Sequence, residues 1–365
     1  MTGKTNNIST KQVRALIVST IVGVGVLTLP NKVSLIMGNV GWLSILIGGL
    51  LTSIPIIFIN KIFELYPDKS FFEIGYELLG KWMFNLFLII FLFYFIMLAS
   101  SVTRNLAEIV KAFLLEATPI EIIILTFILA STYLARTDIN IIGRVGYHIY
   151  PIIIGFIIIL SFITLTGINF ENMLPVFQSD FTKLPKAIEV SFFSYIGFEI
   201  LLFALPFVED KKKTLQSSLI GIGIVTTIYL IIFVISLSQY GLAHLNRQLF
   251  PTLSLIKEVD LPGFFLENLD GFVMALWVLF IFSTMSPAYY SAGTILANLM
   301  KTKSHDLFIL PLLPIIYIVS LIPQSITELN VYLGRFVDYS GLICIVILPT
   351  ILYSIGYFKL RRTKR

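Results

Sequence analysis

The stretch Ile21-Val22-Gly23-Val24-Gly25-Val26-Leu27-Thr28-Leu29-Pro30 decides the fold, because it places two glycines inside a long apolar segment. Each glycine weakens a helix by about 1 kcal/mol relative to alanine. In a bilayer such a helix is tolerated where the freed backbone groups find a partner or line a cavity. Glycines also let membrane helices pack closely, which is the alternative interpretation. The stretch therefore predicts either a broken helix or a tight helix contact.

A second stretch of the same kind, Phe192-Phe193-Ser194-Tyr195-Ile196-Gly197-Phe198-Glu199-Ile200, lies in the second half of the chain. A glycine again falls in the middle of an apolar segment, and Leu205-Pro206 follows it as Leu29-Pro30 follows the first. Interrupted helices at matching places in two halves point to a binding site near the membrane midplane. We predict that the ligand-binding residues are Val22, Gly23, Val24, Gly25, Ser194, Tyr195, Gly197, Phe198 and Glu199.

The ends of two broken helices offer complementary charge to a small ligand. Their N-terminal ends carry unpaired N–H groups and a positive dipole, which suit a carboxylate. Their C-terminal ends offer carbonyl oxygens to an ammonium group or a cation. A zwitterionic amino acid suits such a site, and another small polar ligand remains open.

The composition identifies lipid as the solvent of this chain. Apolar residues make up 57% of the 365 residues and charged residues 13%, and the mean hydropathy is +0.91. A soluble domain carries about 25% charged residues. With one cysteine and three well-separated histidines, we expect no disulfide framework and no metal site. A phosphate loop and a nucleophile elbow are both missing, so we expect no enzyme, no cofactor and no nucleic-acid partner.

The hydropathy pattern predicts an all-α membrane protein with about ten transmembrane helices in a single domain, 1–365. Because crossing about 30 Å of hydrocarbon takes about 20 helical residues, each apolar run is a candidate span. Five spans in each half make two repeats, about 12–166 and about 186–358, which insert with opposite topology because five is odd. The linkers 64–81, 167–185 and 241–269 are expected to hold short surface helices. The spans are predicted near 12–36, 41–63, 82–108, 119–135, 141–166, 186–208, 215–240, 270–298, 306–323 and 336–358.

Positive charge sets the predicted orientation. An even number of spans puts both termini on one side, and the positive-inside rule makes that side the cytoplasm. The run Lys211–Lys213 and the basic tail Lys359–Arg365 then lie inside. We interpret both as topology anchors, with a specific lipid or partner site as the alternative.

Glu199 is an ionisable residue in the middle of a predicted span. Such a group costs about 2.5–3.5 kcal/mol to insert, so it is expected to face a cavity or a partner. It can bind a ligand amine, carry a proton or hydrogen-bond the unwound backbone of span 1. A protonated glutamate that braces the helix break is an equally good interpretation, and both remain open.

Other polar residues give weaker signals. Ser283 and Thr284, in the middle of span 8, are candidate ligands for a sodium ion, and bonds to the carbonyls one turn earlier are the alternative. Tyr94 is a candidate gate or cavity residue. Arg335 and Asp338 are expected to anchor the start of span 10.

These segments resemble the amino acid–polyamine–organocation superfamily and, within it, the spore germination permease family, the B subunits of spore germinant receptors. The two glycine stretches carry the resemblance at superfamily level. An ordered series of loop segments carries the closer one, and together they cover about residues 8 to 358. The loop segments are Tyr66–Ser70, Leu79–Trp82, Phe113–Leu115, Thr118-Pro119, Asn172–Val176, Phe250–Leu253 and Phe265–Asp270 with Trp277.

The resemblance implies a LeuT-type five-plus-five inverted repeat with broken helices 1 and 6. It also implies a subunit in the inner membrane of the spore that recognises a germinant such as an amino acid, beside an A and a C subunit. Proton-coupled relatives can carry a lysine in the middle of span 5, and residues 150–165 contain none. Two rival hypotheses remain: a secondary amino acid transporter driven by an ion gradient, and a structural or ion-pathway subunit with a vestigial pocket.

Overall fold

The structure, a computed structural model, describes residues 7–23, 25–175, 179–257 and 269–363. This part of the chain is helical, and its one β-bridge joins Ile8 to Val208. The helices are α1 Thr10–Ile21, α2 Gly25–Met37, α3 Gly41–Leu65, α4 Phe71–Phe113, α5 Ile120–Ala135, α6 Ile139–Thr164, α7 Leu184–Phe193, α8 Leu201–Ala204, α9 Thr214–Leu245, α10 Pro251–Lys257, α11 Leu269–Leu299, α12 Asp306–Leu321, α13 Ile326–Leu329, α14 Arg335–Gly341 and α15 Leu348–Thr363.

The described helices account for the ten predicted spans. Six helical stretches are long and apolar enough to cross a membrane, and a seventh is the pair Phe181–Phe193 and Phe198–Phe207, bent by 49°. One of the six, Gly25–Leu65, contains both α2 and α3, which the turn at Gly38–Val40 separates. The shorter apolar helices α5 and α12 have 16 residues each. They correspond to spans 4 and 9, and α1 with α2 forms span 1.

The three long linkers contain the expected short helices. The first turn of α4 is capped by Ser70 in a capping box with Glu73, and Gly80, with φ +74°, kinks the helix before its long apolar part. Short 3₁₀ turns occupy Leu165–Gly167, Phe170–Met173 and Phe181–Lys183. The helix α10 lies in the third linker, whose residues 258–268 fall outside the described part.

The two broken helices lie in the middle of the bundle. The helix α1 packs against α6, α9 and α11, and α7 packs against α2 and α3. The helix α4 packs against α11 and closes the other side. The core between them contains the fully buried aromatic residues Trp277, Tyr94, Tyr195, Tyr229 and Tyr289. This packing holds the two breaks at the centre of the protein.

Candidate functional site

The first break lies between α1 and α2. The helix α1 begins at a capping box formed by Ser9 and Gln12 and ends at Ile21. Val22 still donates its backbone N–H to the Val18 carbonyl, and α2 begins at Gly25. Val24, a predicted site residue, lies outside the described residues. The span is therefore interrupted, and α2 starts a new helix at Gly25 whose first-turn amides have no partner within that helix.

The second break lies between α7 and the turn Phe198–Ile200. The helix α7 ends at Phe193, and Ser194–Gly197 form a turn. Gly197 has φ +129°, a conformation that side chains with a Cβ rarely adopt, so glycine is required here. The chain then continues through the short helix α8 to Phe207.

One tyrosine hydroxyl ties the two breaks together. The Tyr229 hydroxyl, on α9, lies 2.8 Å from the Ser194 carbonyl oxygen and 3.2 Å from the Ile21 carbonyl oxygen, and it donates to them. These carbonyls end the first halves of the two broken spans. Tyr229 was not predicted, because nothing in the sequence distinguishes it from other tyrosines in apolar segments.

The glycines lie where the two broken helices touch. A Cβ on Gly25 would lie 2.5 Å from the Tyr229 hydroxyl oxygen and 2.6 Å from the Ser194 carbonyl oxygen. A Cβ on Gly197 would lie 2.9 Å from the Thr20 carbonyl oxygen on α1. All three distances are shorter than the contacts that real Cβ atoms make. The predicted meeting of the two breaks is therefore present, and it depends on the absence of side chains.

Glu199 braces the second break. Its side chain is 1% exposed, and one carboxyl oxygen accepts a hydrogen bond of 2.6 Å from the Tyr94 hydroxyl on α4. The other oxygen accepts a hydrogen bond of 2.8 Å from the Gly197 N–H. Among the described residues, Glu199 bonds the backbone of its own broken helix and not that of span 1. Both oxygens already have partners within the protein.

Several predicted residues pack into the core instead of facing open space. Tyr195 is fully buried and donates a hydrogen bond of 3.0 Å to the Ile45 carbonyl on α3. Val22 and Phe198 are each 1% exposed. Gly23 packs against α11, where a Cβ would lie 2.0 Å from the Thr284 hydroxyl oxygen. These positions shape the breaks from behind.

Ser283 and Thr284 join α11 to the C-terminal turn of α1. The Ser283 hydroxyl lies 2.8 Å from the Ser19 carbonyl oxygen and 2.7 Å from the Phe280 carbonyl oxygen. The Thr284 hydroxyl lies 3.5 Å and 3.4 Å from the same two oxygens. Both hydroxyls therefore bond a carbonyl one turn earlier on α11, as the alternative interpretation expected. They also connect α11 to α1. The carbonyls that a sodium ion would need already accept hydrogen bonds.

A cavity of about 730 Å³ opens from the contact between the breaks. Gly25, Ser194 and Thr284 are the predicted residues that line it. Thr28, one turn beyond Gly25, and Ser101 and Asn105 on α4 add polar groups to it, and α4, α7 and the 330–339 region form its walls. The apolar lining includes Ile21, Leu98, Val102, Val190, Phe193 and Ile196.

Charged side chains line the outer part of this cavity. They come from α2, α7 and α14, and they are Lys32, Lys186, Glu189, Arg335 and Asp338. Arg335 and Asp338, which were expected to anchor the start of span 10, also line the cavity. Tyr94, expected near the cavity, instead bonds Glu199 behind the break.

A second, smaller cavity lies beside Glu199. It has a volume of about 20 Å³ and is lined by Thr20, Gly197, Glu199 and Thr284, among others. A space of this size holds about one water molecule. The region behind the breaks is therefore nearly closed, whereas the region in front of them is open.

The sequence comparison identifies relatives over the whole chain. Residues 7–329 match a family profile described as "Spore germination protein". The chain is 28% identical to Spore germination protein YndE of Bacillus subtilis (strain 168) over 365 residues, which cover 100% of both chains.

The structural comparison identifies solved transporters of the same fold. Mhp1, a nucleobase-cation-symport-1 family transporter in a closed conformation with bromovinylhydantoin bound, superposes with a TM-score of 0.72. The match has 12% identity and covers 100% of this chain and 82% of that one. MhsT in complex with L-phenylalanine gives a TM-score of 0.69 at 16% identity, over 94% and 88% of the two chains. The likeness shows the fold, which is the expected LeuT-type arrangement with broken helices 1 and 6.

Proposed function

The chain belongs to the spore germination protein family, and from this premise we propose that it is the ligand-sensing membrane subunit of a germinant receptor. The ligand is a small germinant, an amino acid, that enters the cavity in front of the two breaks. The observation that carries the proposal is that this cavity ends where Gly25 and Ser194 meet.

The size and polarity of the cavity suit a small molecule. Pockets for small ligands have volumes of about 300–1,000 Å³ and are mostly apolar with a few polar groups. The cavity of about 730 Å³ falls within that size range, and about half of its lining residues are polar or charged. The N-terminal turn of α2, which begins at Gly25, adds a positive dipole. The inner wall of the cavity therefore offers a place for polar atoms of the ligand.

Sensing follows from the position of the cavity between the two repeats. The helix α2 belongs to the first repeat, whereas α7 and α14 belong to the second. A ligand that contacts both repeats binds tightest in the packing that brings them together, and it shifts the population towards that packing. Movement of one repeat against the other is the signal that reaches the rest of the receptor.

The chain acts within a larger assembly under this proposal. It lies in the inner membrane of the spore with both termini in the cytoplasm, as one integral membrane domain made of the repeats 12–166 and 186–358. The A and C subunits of the receptor are its partners. The basic tail Lys359–Arg365 and the run Lys211–Lys213 support this orientation through the positive-inside rule.

The test replaces the glycines at the contact between the breaks in a strain whose spores depend on this receptor. Gly25→Leu and Gly197→Leu abolish the germinant response, because each side chain would meet a backbone carbonyl oxygen of the other broken helix at 2.6–2.9 Å. The matched control is Gly223→Leu on α9, where an added Cβ meets no atom within 4 Å. Dose–response curves of spore germination, with membrane levels checked by immunoblot, give the readout.

The outcomes separate the three hypotheses for this chain. A normal dose response in both glycine variants contradicts the site assignment. Gradient-driven uptake of labelled amino acid into proteoliposomes supports a transporter instead. A germinant specificity that follows a partner subunit when subunits are exchanged supports a structural or ion-pathway role.

A further inference from the structure

The polar groups at the two breaks are largely used within the protein. Both carboxyl oxygens of Glu199 accept hydrogen bonds, from Tyr94 and from the Gly197 N–H. The Ile21 and Ser194 carbonyls both accept from the Tyr229 hydroxyl. Glu199 is 1% exposed and is not among the residues that line the large cavity, so a ligand in that cavity does not contact its carboxyl group. The charges that recognise the ligand must therefore come from elsewhere.

The outer half of the cavity contains charges without partners. In the part of the chain that the structure describes, the side chains of Lys32, Lys186, Glu189, Arg335 and Asp338 form no hydrogen bond and no ion pair within 4.0 Å. Ionisable groups within membrane spans are expensive and mark ligand pathways. Unpaired charges of both signs around one cavity indicate a ligand with both signs of charge.

Lys32 and Asp338 are the pair best placed to hold such a ligand. Lys32 lies on α2 and Asp338 on α14, so they face the cavity from different repeats. They are close enough to interact electrostatically, yet no ion pair within 4.0 Å joins them in the described structure. Glu189 adds a second negative charge near Asp338. A molecule with an ammonium group and a carboxylate can insert between them and pair with both at once.

The inner end of the cavity has the opposite character. Ile21, Leu98, Phe193 and Ile196 line it, close to the contact between the breaks. Lys32 lies seven residues beyond Gly25 along α2, which is about 10 Å in a helix. The Lys32 charge therefore lies away from the inner end of the cavity, where these four apolar residues line it beside Thr28.

We infer that the ligand is a zwitterionic amino acid with an apolar side chain, and that it binds with its head group outward. The Lys32 ammonium pairs with its carboxylate, the Asp338 carboxylate pairs with its ammonium group, and its side chain points to the breaks. This inference rests on the proposed function and gives the site its ligand class and orientation. Because the head group bridges α2 and α14, binding draws the two repeats together.

The test compares recognition of each charged group separately. The purified full-length chain in nanodiscs is screened with L-alanine, L-valine and L-leucine. The tightest binder is then compared with its amine, which lacks the carboxylate, and its acid, which lacks the ammonium group. For L-valine these are isobutylamine and 3-methylbutanoic acid. The variants are Lys32→Gln and Asp338→Asn, and the control is Lys183→Gln, whose lysine pairs with Asp180 at 3.7 Å outside the cavity lining.

The expected result is a specific loss in each variant. Lys32→Gln weakens binding of the amino acid and the acid about 10- to 100-fold and leaves the amine unchanged, because a charged hydrogen bond has been removed. Asp338→Asn weakens binding of the amino acid and the amine and leaves the acid unchanged. Lys32→Arg and Asp338→Glu restore most of the affinity, and Lys183→Gln binds like the wild type.

Two results would overturn the inference, and they are distinguishable. If the wild-type chain binds the amino acids but both variants lose affinity equally for all three compounds, or lose none, the head group does not lie between Lys32 and Asp338. The carboxylate then lies at the N-terminal turn of α2, as the proposed function alone allows. If the wild-type chain binds none of the compounds, the proposed function fails together with the inference.

Discussion

Removing one hydroxyl should loosen the contact between the two breaks. In Tyr229→Phe the ring remains, and the hydroxyl that bonds the Ser194 carbonyl at 2.8 Å and the Ile21 carbonyl at 3.2 Å is lost. A hydrogen bond contributes about 0.5–1.5 kcal/mol, and a buried group left without a partner loses about 1–3 kcal/mol. We expect the free energy of unfolding to fall by about 1–3 kcal/mol, because the buried Ile21 carbonyl and the partly buried Ser194 carbonyl both lose a hydrogen bond.

The structure offers a matched control for this substitution. Tyr66 is also buried, at 7% exposed, and its hydroxyl has no hydrogen-bond partner among the described residues. Tyr66→Phe should leave stability unchanged or raise it, because it removes an unsatisfied polar group. The assay is thermal unfolding of the detergent-solubilised chain, where Tyr229→Phe lowers the Tm by a few degrees. Equal Tm values for wild type and Tyr229→Phe, or an equal fall in Tyr66→Phe, would refute the role assigned to Tyr229.

Two further predictions concern buried charges in the same bundle. Glu199→Ala leaves the Tyr94 hydroxyl and the Gly197 N–H without partners and opens a cavity, so it lowers the free energy of unfolding by about 2–5 kcal/mol. Thermal unfolding measures this, and the prediction is wrong if Glu199→Ala melts like the wild type. Arg104→Gln breaks the pair of Arg104 and Glu108, 2.7 Å apart with side chains 6% and 19% exposed, and lowers stability by about 3–5 kcal/mol because a buried charge loses its partner. The exposed pair Lys183–Asp180 is the control, and we expect Lys183→Gln to change stability by less than about 1 kcal/mol. Similar losses of stability in Arg104→Gln and Lys183→Gln would contradict this prediction.

The breaks could be predicted from the sequence because glycine acts locally. Gly197 has φ +129°, and Gly25 lies where any Cβ would clash with its neighbours. Both positions therefore require glycine, and the glycine is visible in the sequence. Most span boundaries could be predicted to within a few residues from the apolar runs, whereas α4, Phe71–Phe113, extends beyond the predicted span 82–108 at both ends. Five spans in each half with matching breaks then gave the architecture.

The lining of the cavity could not be predicted, because it depends on how each span is rotated about its axis. Helices such as α4, α9 and α11 are apolar on every side, so their sequences do not show which face is buried. Tyr94 and Tyr195 were therefore placed at the cavity, whereas they bond Glu199 and α3 behind it. Tyr229 was missed for the same reason. Lys32 and Asp338 lie far apart in the sequence, and only the fold brings them to one cavity.

Equilibrium binding of labelled L-amino acids to the purified chain, without its partner subunits, tests the central claim most directly. The account predicts saturable binding of an apolar L-amino acid that Gly197→Leu abolishes and Gly223→Leu preserves. The absence of saturable binding by a correctly folded wild-type chain, or undiminished binding by Gly197→Leu, would contradict the claim that the two breaks form the ligand site.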